Sequence, residues 1–408
     1  MFHGNFIYYI LRALGIYFCI YFHQTSLCAS LHVRSARASD LLMVEMDTQK
    51  LLCSVLCCFC FLFSILSGRQ QAVQGHHHVP SNIRPLKLFV FGDSYADTGN
   101  TNKSQSAWKY PYGITFPGKP AGRFSDGLVL TDYVAKFLGL KSPIPYEGWK
   151  SSSRGIPLLK YGMNFAYGGT GVFVTVFPSP KMTVQIDILE HLLKDNVFTA
   201  KDLESSVSLV SLAGKDYLAY ISTNGSSEGL QSFITTVVNQ LAINLKRIHG
   251  LGVKKIAVTG IVPFGCLPIF TGTSSFQQCN ETYNSFLGFH NLLLNQTVEK
   301  LNKETKDSPF FIIDLYASFT SAIKNEGSIK FENPLKPCCL GTTVSGEYFT
   351  ISGEYFTCGR VDENGAKRYT LCENPKSGFF WDLAHPSQEG WRAVHSALQA
   401  TLEQYFLH

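Results

Sequence analysis

The chain of 408 residues has no block of lysines or arginines: its 35 basic and 30 acidic residues are interleaved, for a formal charge of +5. A nucleic-acid or anionic-surface partner is read from such a block, so charge nominates no macromolecular partner. Charged residues make up only 16% against 45% hydrophobic, which excludes a disordered or fibrous chain and fits a large globular core. No Cys-x-x-Cys pair is matched by a second distant pair or by a histidine pair, so the common zinc-binding arrangements are missing. His76-His77-His78 reads as a solvated tail, and no metal or cofactor is expected. Long apolar runs are missing too: Phe6 to Phe22, interrupted by Arg12, and Leu51 to Leu66 fall short of the ~20 residues a spanning helix requires.

The second of these runs has the length of a secretory signal core. Lys50 precedes it, and small residues such as Ala72 and Gly75 follow. Met46 is a natural start on this reading. Residues 1–45 are then an upstream extension, 46–75 a signal peptide, and 76–408 the mature domain, secreted and without stable membrane insertion. Cysteine usage agrees. Six of the 12 cysteines fall in the leader (Cys19, Cys28, Cys53, Cys57, Cys58, Cys60), leaving an even set of Cys266, Cys279, Cys338, Cys339, Cys358 and Cys372. Cys266 with Cys279 would close a short loop, and the other four could staple the segment before residue 382, in a connectivity that spacing does not fix. Glycosylation sequons begin at Asn102, Asn224, Asn280 and Asn295.

After the leader, apolar runs of strand length alternate with amphipathic stretches of helix length. Strands are expected at Lys87 to Phe91, Met163 to Tyr167, Val207 to Leu212, Lys255 to Thr259 and Phe310 to Asp314, as continuous apolar runs suited to a parallel sheet covered on both faces. Helices are expected at Asp126 to Leu138, Val184 to Lys194, Leu230 to His249, Glu281 to Lys303 and Ser387 to Tyr405. The alternation implies a single doubly wound α/β domain of three layers, α/β/α. In such folds ligands bind beyond the carboxyl ends of the strands. One oddity is the hexapeptide Ser345 to Thr350, repeated as Ser352 to Thr357; a duplication in a surface loop costs little, and it is given no function.

Two segments carry the chemistry. Leu88-Phe89-Val90-Phe91-Gly92-Asp93-Ser94 reads as a buried strand delivering a serine onto a tight turn. Phe379-Phe380-Trp381-Asp382-Leu383-Ala384-His385-Pro386 supplies a carboxylate and an imidazole three residues apart. A serine hydroxyl is a poor nucleophile until an imidazole takes its proton, and the imidazole needs a carboxylate to fix its tautomer and stabilise its charged form. Pro386 is poorly tolerated inside a helix, which places His385 on a loop just before the last helix. Ser94, Asp382 and His385 are therefore expected to form a serine hydrolase triad.

Around these segments the sequence resembles the plant GDSL esterase/lipase family, a branch of the SGNH hydrolases. The resemblance rests on Gly92-Asp93-Ser94-Tyr-Ala-Asp97-Thr-Gly99-Asn100, Gly122-Arg123-Phe124-Ser125-Asp126-Gly127, Asn164-Phe165-Ala166-Tyr167-Gly168-Gly169, Pro263-Phe264-Gly265-Cys266-Leu267-Pro268 and the Asp382/His385 block. It runs almost from Leu86 to the C-terminus. It implies a secreted, metal-free enzyme of flavodoxin-like α/β/α fold that cleaves carboxylic esters of lipids, glycans or small molecules through an acyl-enzyme. Ser94 would be nucleophile, His385 general base and Asp382 its orienter. The oxyanion hole would take the Ser94 N–H, the Gly168 N–H (Gly169 if the register differs by one) and a third donor at position 215. There the family pattern Gly-x-Asn-Asp is replaced by Ala213-Gly214-Lys215-Asp216. Losing one oxyanion donor typically costs about a hundred- to a thousandfold in turnover. Three readings of Lys215 compete: a substitute donor, the mark of an impaired relative that binds a ligand or glycan without efficient turnover, or an error in the sequence.

Other candidates carry plainer readings. Gly225-Ser226-Ser227-Glu228-Gly229 matches a G-x-S-x-G elbow, but polar Ser222-Thr223-Asn224 precedes it instead of a strand, so a surface loop is expected. His249 and His290 read as ordinary helix-face histidines. Asp97 and Asn100 read as turn formers that shape the nucleophile loop, and Arg123 and Asp126 as structural partners.

Overall fold

Lys87–Gly92 (β1) is buried along all but its first residue, as a strand must be when helices cover both faces of its sheet. In the computed structural model, which describes residues 87–152, 155–212, 214–305, 307–342 and 358–406, β1 lies inside a six-stranded parallel sheet. The others are Ile144–Pro145 (β2), Gly162–Asn164 (β3), Ser206–Ser211 (β4), Lys255–Thr259 (β5) and Phe310–Ile313 (β6), in the order β2-β3-β1-β4-β5-β6. The leader, the histidine run and the repeated hexapeptide lie outside the described residues.

The helices fall into two sets. Leu130–Phe137 (α1) and Leu315–Ile323 (α6) each touch Gln388–Phe406 (α7), and Met182–Lys194 (α2) and Glu281–Glu304 (α5) each touch Ser227–Gly250 (α4). The remaining helix of comparable length, Lys215–Ser222 (α3), follows β4 directly. The sheet order reverses at β1: the chain leaves it to build β2 and β3 on one side, then crosses to β4, β5 and β6 on the other. That reversal opens a crevice at the carboxyl ends of β3, β1 and β4, where Ser94, Gly168 and Lys215 stand in sequence. A hairpin of Cys339–Gly341 (β7) and Tyr369–Leu371 (β8) flanks the domain.

The α/β class is as expected, and the differences lie at element ends. The strand expected to reach Tyr167 stops at Asn164, because the buried Asn164 amide turns away to the Ala96 carbonyl at 2.7 Å and the Thr98 hydroxyl at 2.9 Å. The helix expected from Asp126 begins at Leu130, since the Asp126 carboxylate is taken by Thr115 and by the Gln388 N–H. Asp314 ends no strand; its Oδ1 accepts the Ala317 N–H at 2.9 Å and caps α6, a helix the hydrophobic pattern did not announce. Three disulfides join Cys266 to Cys279, Cys338 to Cys372 and Cys339 to Cys358. The last two fix β7 to the segment that leads to Asp382.

Candidate active site

The turn after β1 is built so that only glycine fits its first position. Gly92 has φ +139°, and a Cβ there would come 1.9 Å from the Ser211 carbonyl oxygen of β4. The Gln185 side chain of α2 accepts the Gly92 N–H at 2.8 Å and donates to its carbonyl at 2.9 Å. Beyond it, the Ala96 and Asp97 N–H groups close onto the Asp93 carbonyl at 3.0 and 2.9 Å, leaving Ser94 on the bend with its hydroxyl toward the crevice.

Asp97 and Asn100 hold this turn to the neighbouring strand loop. The Asp97 carboxylate is fully buried and accepts N–H groups from Gly99, Asn100, Thr101 and Gly168 at 2.7–3.0 Å. Burial raises its pKa to about 6 although all four hydrogen bonds pull the other way. The Asn100 amide donates to the Asn164 and Ala166 carbonyls at 2.7 and 2.9 Å. These are shaping roles, as the turn reading anticipated.

His385 arrives from 291 positions along the chain, its Nε2 standing 2.8 Å from Ser94 Oγ. Its Nδ1 lies 2.8 and 2.9 Å from the two carboxylate oxygens of Asp382. Asp382 Oδ1 also accepts the Ala384 and His385 N–H groups, both at 2.9 Å, so the Asp-x-x-His spacing folds into one tight loop. The Trp381 N–H closes that loop on the His385 carbonyl at 2.7 Å, and α7 begins at Gln388, just past Pro386. Burial pushes the Asp382 carboxyl up, but the imidazole, the Tyr112 hydroxyl and the Ala384 N–H outweigh it and leave the group below the usual carboxylate range. A serine, an imidazole and a carboxylate in this chain can move a proton off the hydroxyl as it attacks.

The three side chains open on a cavity of about 260 Å³. Val176, Phe177, Leu218, Leu267 and Ile269 give it apolar walls, and Lys215 stands among them. Lys215 is the first residue of α3, half-buried, and its ammonium lies 5.3 Å above the Phe177 ring. Among the described residues it has no ion pair, and burial lowers its pKa although Asp93 and Asp382 oppose that shift. Asp216, the next residue, turns the other way and binds the Val172 and Phe173 N–H groups at 2.9 Å.

Gly168 does not keep a free donor: its N–H is given to Asp97 Oδ2 at 2.8 Å. Of the two glycines expected to offer an oxyanion donor, Gly168 thus has its N–H already taken by a carboxylate. Gly169 lines the cavity, and among the described residues neither its N–H nor that of Ser94 has an acceptor.

Sequence reasoning missed Tyr112, whose hydroxyl donates to Asp382 Oδ2 at 2.6 Å. It also left Phe124 without a role, although the ring stacks on the His385 imidazole at 5.0 Å between centroids. Phe124 lay in a quoted block; Tyr112 had no spacing signal, being 270 residues from its partner. Arg123 makes a two-pronged contact with Asp132 at 2.9 Å, and Asp126 accepts the Gln388 N–H at 2.7 Å at the start of α7, so both are structural. Ser227, the serine of the G-x-S-x-G match, is the exposed first residue of α4 and donates to Glu228 Oε1 at 3.2 Å, while the Ser226 hydroxyl caps that helix by accepting the Gly229 N–H at 3.1 Å. His290 is buried against the Tyr217 hydroxyl at 2.6 Å, and His249 stands 3.6 Å from Asp307.

Residues 88–398 match the family model for the GDSL-like lipase/acylhydrolases. GDSL esterase/lipase At5g03610 of Arabidopsis thaliana is 54% identical over 354 residues, covering 85% of this chain and 95% of that protein. A second Arabidopsis thaliana relative, GDSL esterase/lipase At3g09930, is 47% identical over 369 residues, covering 89% and 100%. Among solved structures, a catalytic mutant of an acetylxylan esterase from Geobacillus stearothermophilus aligns over 79% of this chain and 94% of its own, at 15% identity and a TM-score of 0.34. With a family model spanning most of its length and plant relatives at about half identity, this chain belongs to the GDSL-like lipase/acylhydrolase family and is a carboxylic ester hydrolase.

Proposed function

We propose that this protein is a secreted enzyme that cleaves an acyl ester through transient acylation of Ser94. The observation that carries the reading is the 2.8 Å contact between Ser94 Oγ and His385 Nε2, within reach for direct proton transfer. As Ser94 Oγ attacks the ester carbonyl, His385 takes its proton and Asp382 steadies the imidazolium. The tetrahedral oxyanion is held by the N–H groups of Ser94 and Gly169 and by the Lys215 ammonium in the place of the family's amide. Collapse of the intermediate returns the proton to the departing alcohol. Water then repeats the sequence on the acyl-enzyme and releases the carboxylic acid.

The apolar walls support an ester whose acyl part is hydrophobic, from a lipid, a glycan or a smaller molecule, and no metal or cofactor enters any step. Secretion is supported by three disulfides, by four sequon asparagines that are all exposed, and by the signal-like Leu51 to Leu66. Expressed in plant cells, the protein is expected in the extracellular fluid with its N-terminus near His76; retention with residues 46–75 attached would refute secretion. Recovered protein is expected to hydrolyse p-nitrophenyl acetate and butyrate, and Ser94→Ala to lose about 10⁵- to 10⁶-fold in kcat. Equal rates in the two proteins would instead favour a relative that binds its ligand without turning it over.

A further inference from the structure

Asp382 has a partner that no motif supplied. Tyr112 sits on a loop 270 residues away, closed by its own N–H on the Lys109 carbonyl at 3.0 Å and by the Gly113 N–H on the Ser125 carbonyl at 3.0 Å. The side chain is buried, 2% exposed. Its ring meets Phe124 and Trp381 edge to face, at 6.3 and 6.2 Å. Phe124 in turn stacks on His385, and Trp381 is the residue before Asp382. One patch of aromatic packing therefore touches both groups that handle the proton, and at its centre one hydroxyl reaches the carboxylate.

We propose that Tyr112 is a positioning residue of the triad. By donating to Oδ2 it fixes the rotation of the Asp382 carboxylate, so that both oxygens stay within 2.9 Å of His385 Nδ1. Without that donor, the contacts to Oδ1 from the Ala384 and His385 N–H groups remain, but among the described residues Oδ2 is left with only the His385 Nδ1 that it shares with Oδ1. Tyr112 also shares the negative charge. Burial and the adjacent carboxylate both push its phenol far above the ordinary range, so it stays a donor at every pH at which the enzyme works. The other titratable groups near Asp382 are His385 and, at longer range, Tyr95 and Lys215. Tyr95 spends its hydroxyl on the Ala384 carbonyl at 2.7 Å.

The inference rests on the serine-esterase reading, and its test separates the two. Tyr112→Phe keeps the ring and removes only the hydroxyl. Active sites are counted by stoichiometric release of p-nitrophenol from diethyl p-nitrophenyl phosphate, so misfolded protein does not enter the rate. Wild type with no burst would sink the serine-esterase reading itself. Given a burst, the expected result is a kcat per titrated site about tenfold lower, the scale of a hydrogen bond to a charged group, with KM within about twofold. The acid limb of the kcat/KM profile should move to higher pH, because a carboxylate relieved of one donor holds the imidazolium more firmly. An unchanged rate per site would overturn the proposal, including the case where the burst and the total rate fall together. So would a lower rate per site with the acid limb unmoved, because the hydroxyl would then not be acting through Asp382.

Discussion

The two halves of the site are finished to different degrees. On the proton-handling side the triad groups are paired: Asp382 receives two backbone N–H groups, a phenol and an imidazole, and Ser94 Oγ is paired with His385. Across the crevice two backbone N–H groups and one ammonium have no acceptor among the described residues. The chemistry accounts for the contrast. A proton relay works from the resting state, so its geometry gains from being over-determined. An oxyanion hole must be empty until charge develops, and its donors act strongly because nothing protein-borne satisfies them beforehand. Asp97 marks the boundary between the halves: it uses up the Gly168 N–H to anchor the nucleophile turn, and the next N–H, that of Gly169, is the proposed oxyanion donor.

The sharpest way to break this comparison is at Gly169. Its φ is +93°, and an added Cβ would lie 2.5 Å from Phe177 Cβ, so a side chain must rotate the peptide or displace the loop. Gly169→Ala is expected to lower kcat by about a hundred- to a thousandfold, the cost of one oxyanion donor, while the stoichiometric phosphorylation of Ser94 persists at a reduced rate. Kinetics on p-nitrophenyl butyrate with active-site titration would check this. A loss no larger at Gly169 than at Gly168 would return the donor to the position first expected from sequence.

Lys215 is the next test and the more particular to this chain. A cation at the first position of a helix faces the positive end of the helix dipole, an unfavourable placement worth roughly 0.3–1 kcal/mol, and here it is half-buried as well. Such a placement is tolerable if the side chain is matched to a charge that exists only during reaction. Lys215→Met keeps most of the stem and removes the donor; its kcat should fall about 10- to 100-fold with little change in KM, somewhat less than for a fixed backbone donor because the lysine stem is flexible. Lys215→Asn should stay within about tenfold of wild type. The wild-type rate should also decline as pH rises through the ammonium's pKa, which burial places below the ordinary lysine value, and Lys215→Asn should lack that decline. A Lys215→Asn enzyme faster than wild type would make the lysine an impairment.

How much of this was legible in the sequence follows from distance along the chain. β1 and its serine are local: an apolar run, a glycine that must take φ +139°, a turn. The Asp382–His385 loop is local too, and Pro386 marks where α7 cannot yet begin. What the sequence left unseen or open was mostly non-local. Tyr112 meets Asp382 only after the domain has closed, and no periodicity encodes that meeting. The choice between Gly168 and Gly169 depended on which N–H Asp97 would claim, 71 residues away. The short strand β2 and helix α6 escaped because two residues carry no periodicity and because Asp314 read as the end of a strand when its carboxylate was a cap.

The smallest effect contrasts the two buried pairs of tyrosine hydroxyl and acceptor. Tyr112 donates to a carboxylate in the site, whereas Tyr217 meets His290 Nδ1 at 2.6 Å beneath the apolar cluster between α3 and α5, with no path to the reaction. Burial lowers the His290 pKa to about 3, so the imidazole stays neutral in the folded protein while the unfolded chain takes up a proton below its ordinary value of 6.5. Stability from this group is complete above that value and is lost as pH falls toward 3, at a slope approaching about 1.4 kcal/mol per pH unit. Replacing the pair together, His290→Leu with Tyr217→Phe, avoids stranding a buried hydroxyl and removes the titrating group. Between pH 7 and pH 5 the variant should lose less Tm than wild type, with kcat unchanged at pH 7. An equal loss of Tm would mean that His290 gains its proton without unfolding, and a changed kcat would mean that the buried pair reaches Lys215 through α3, which separates them by two residues of chain.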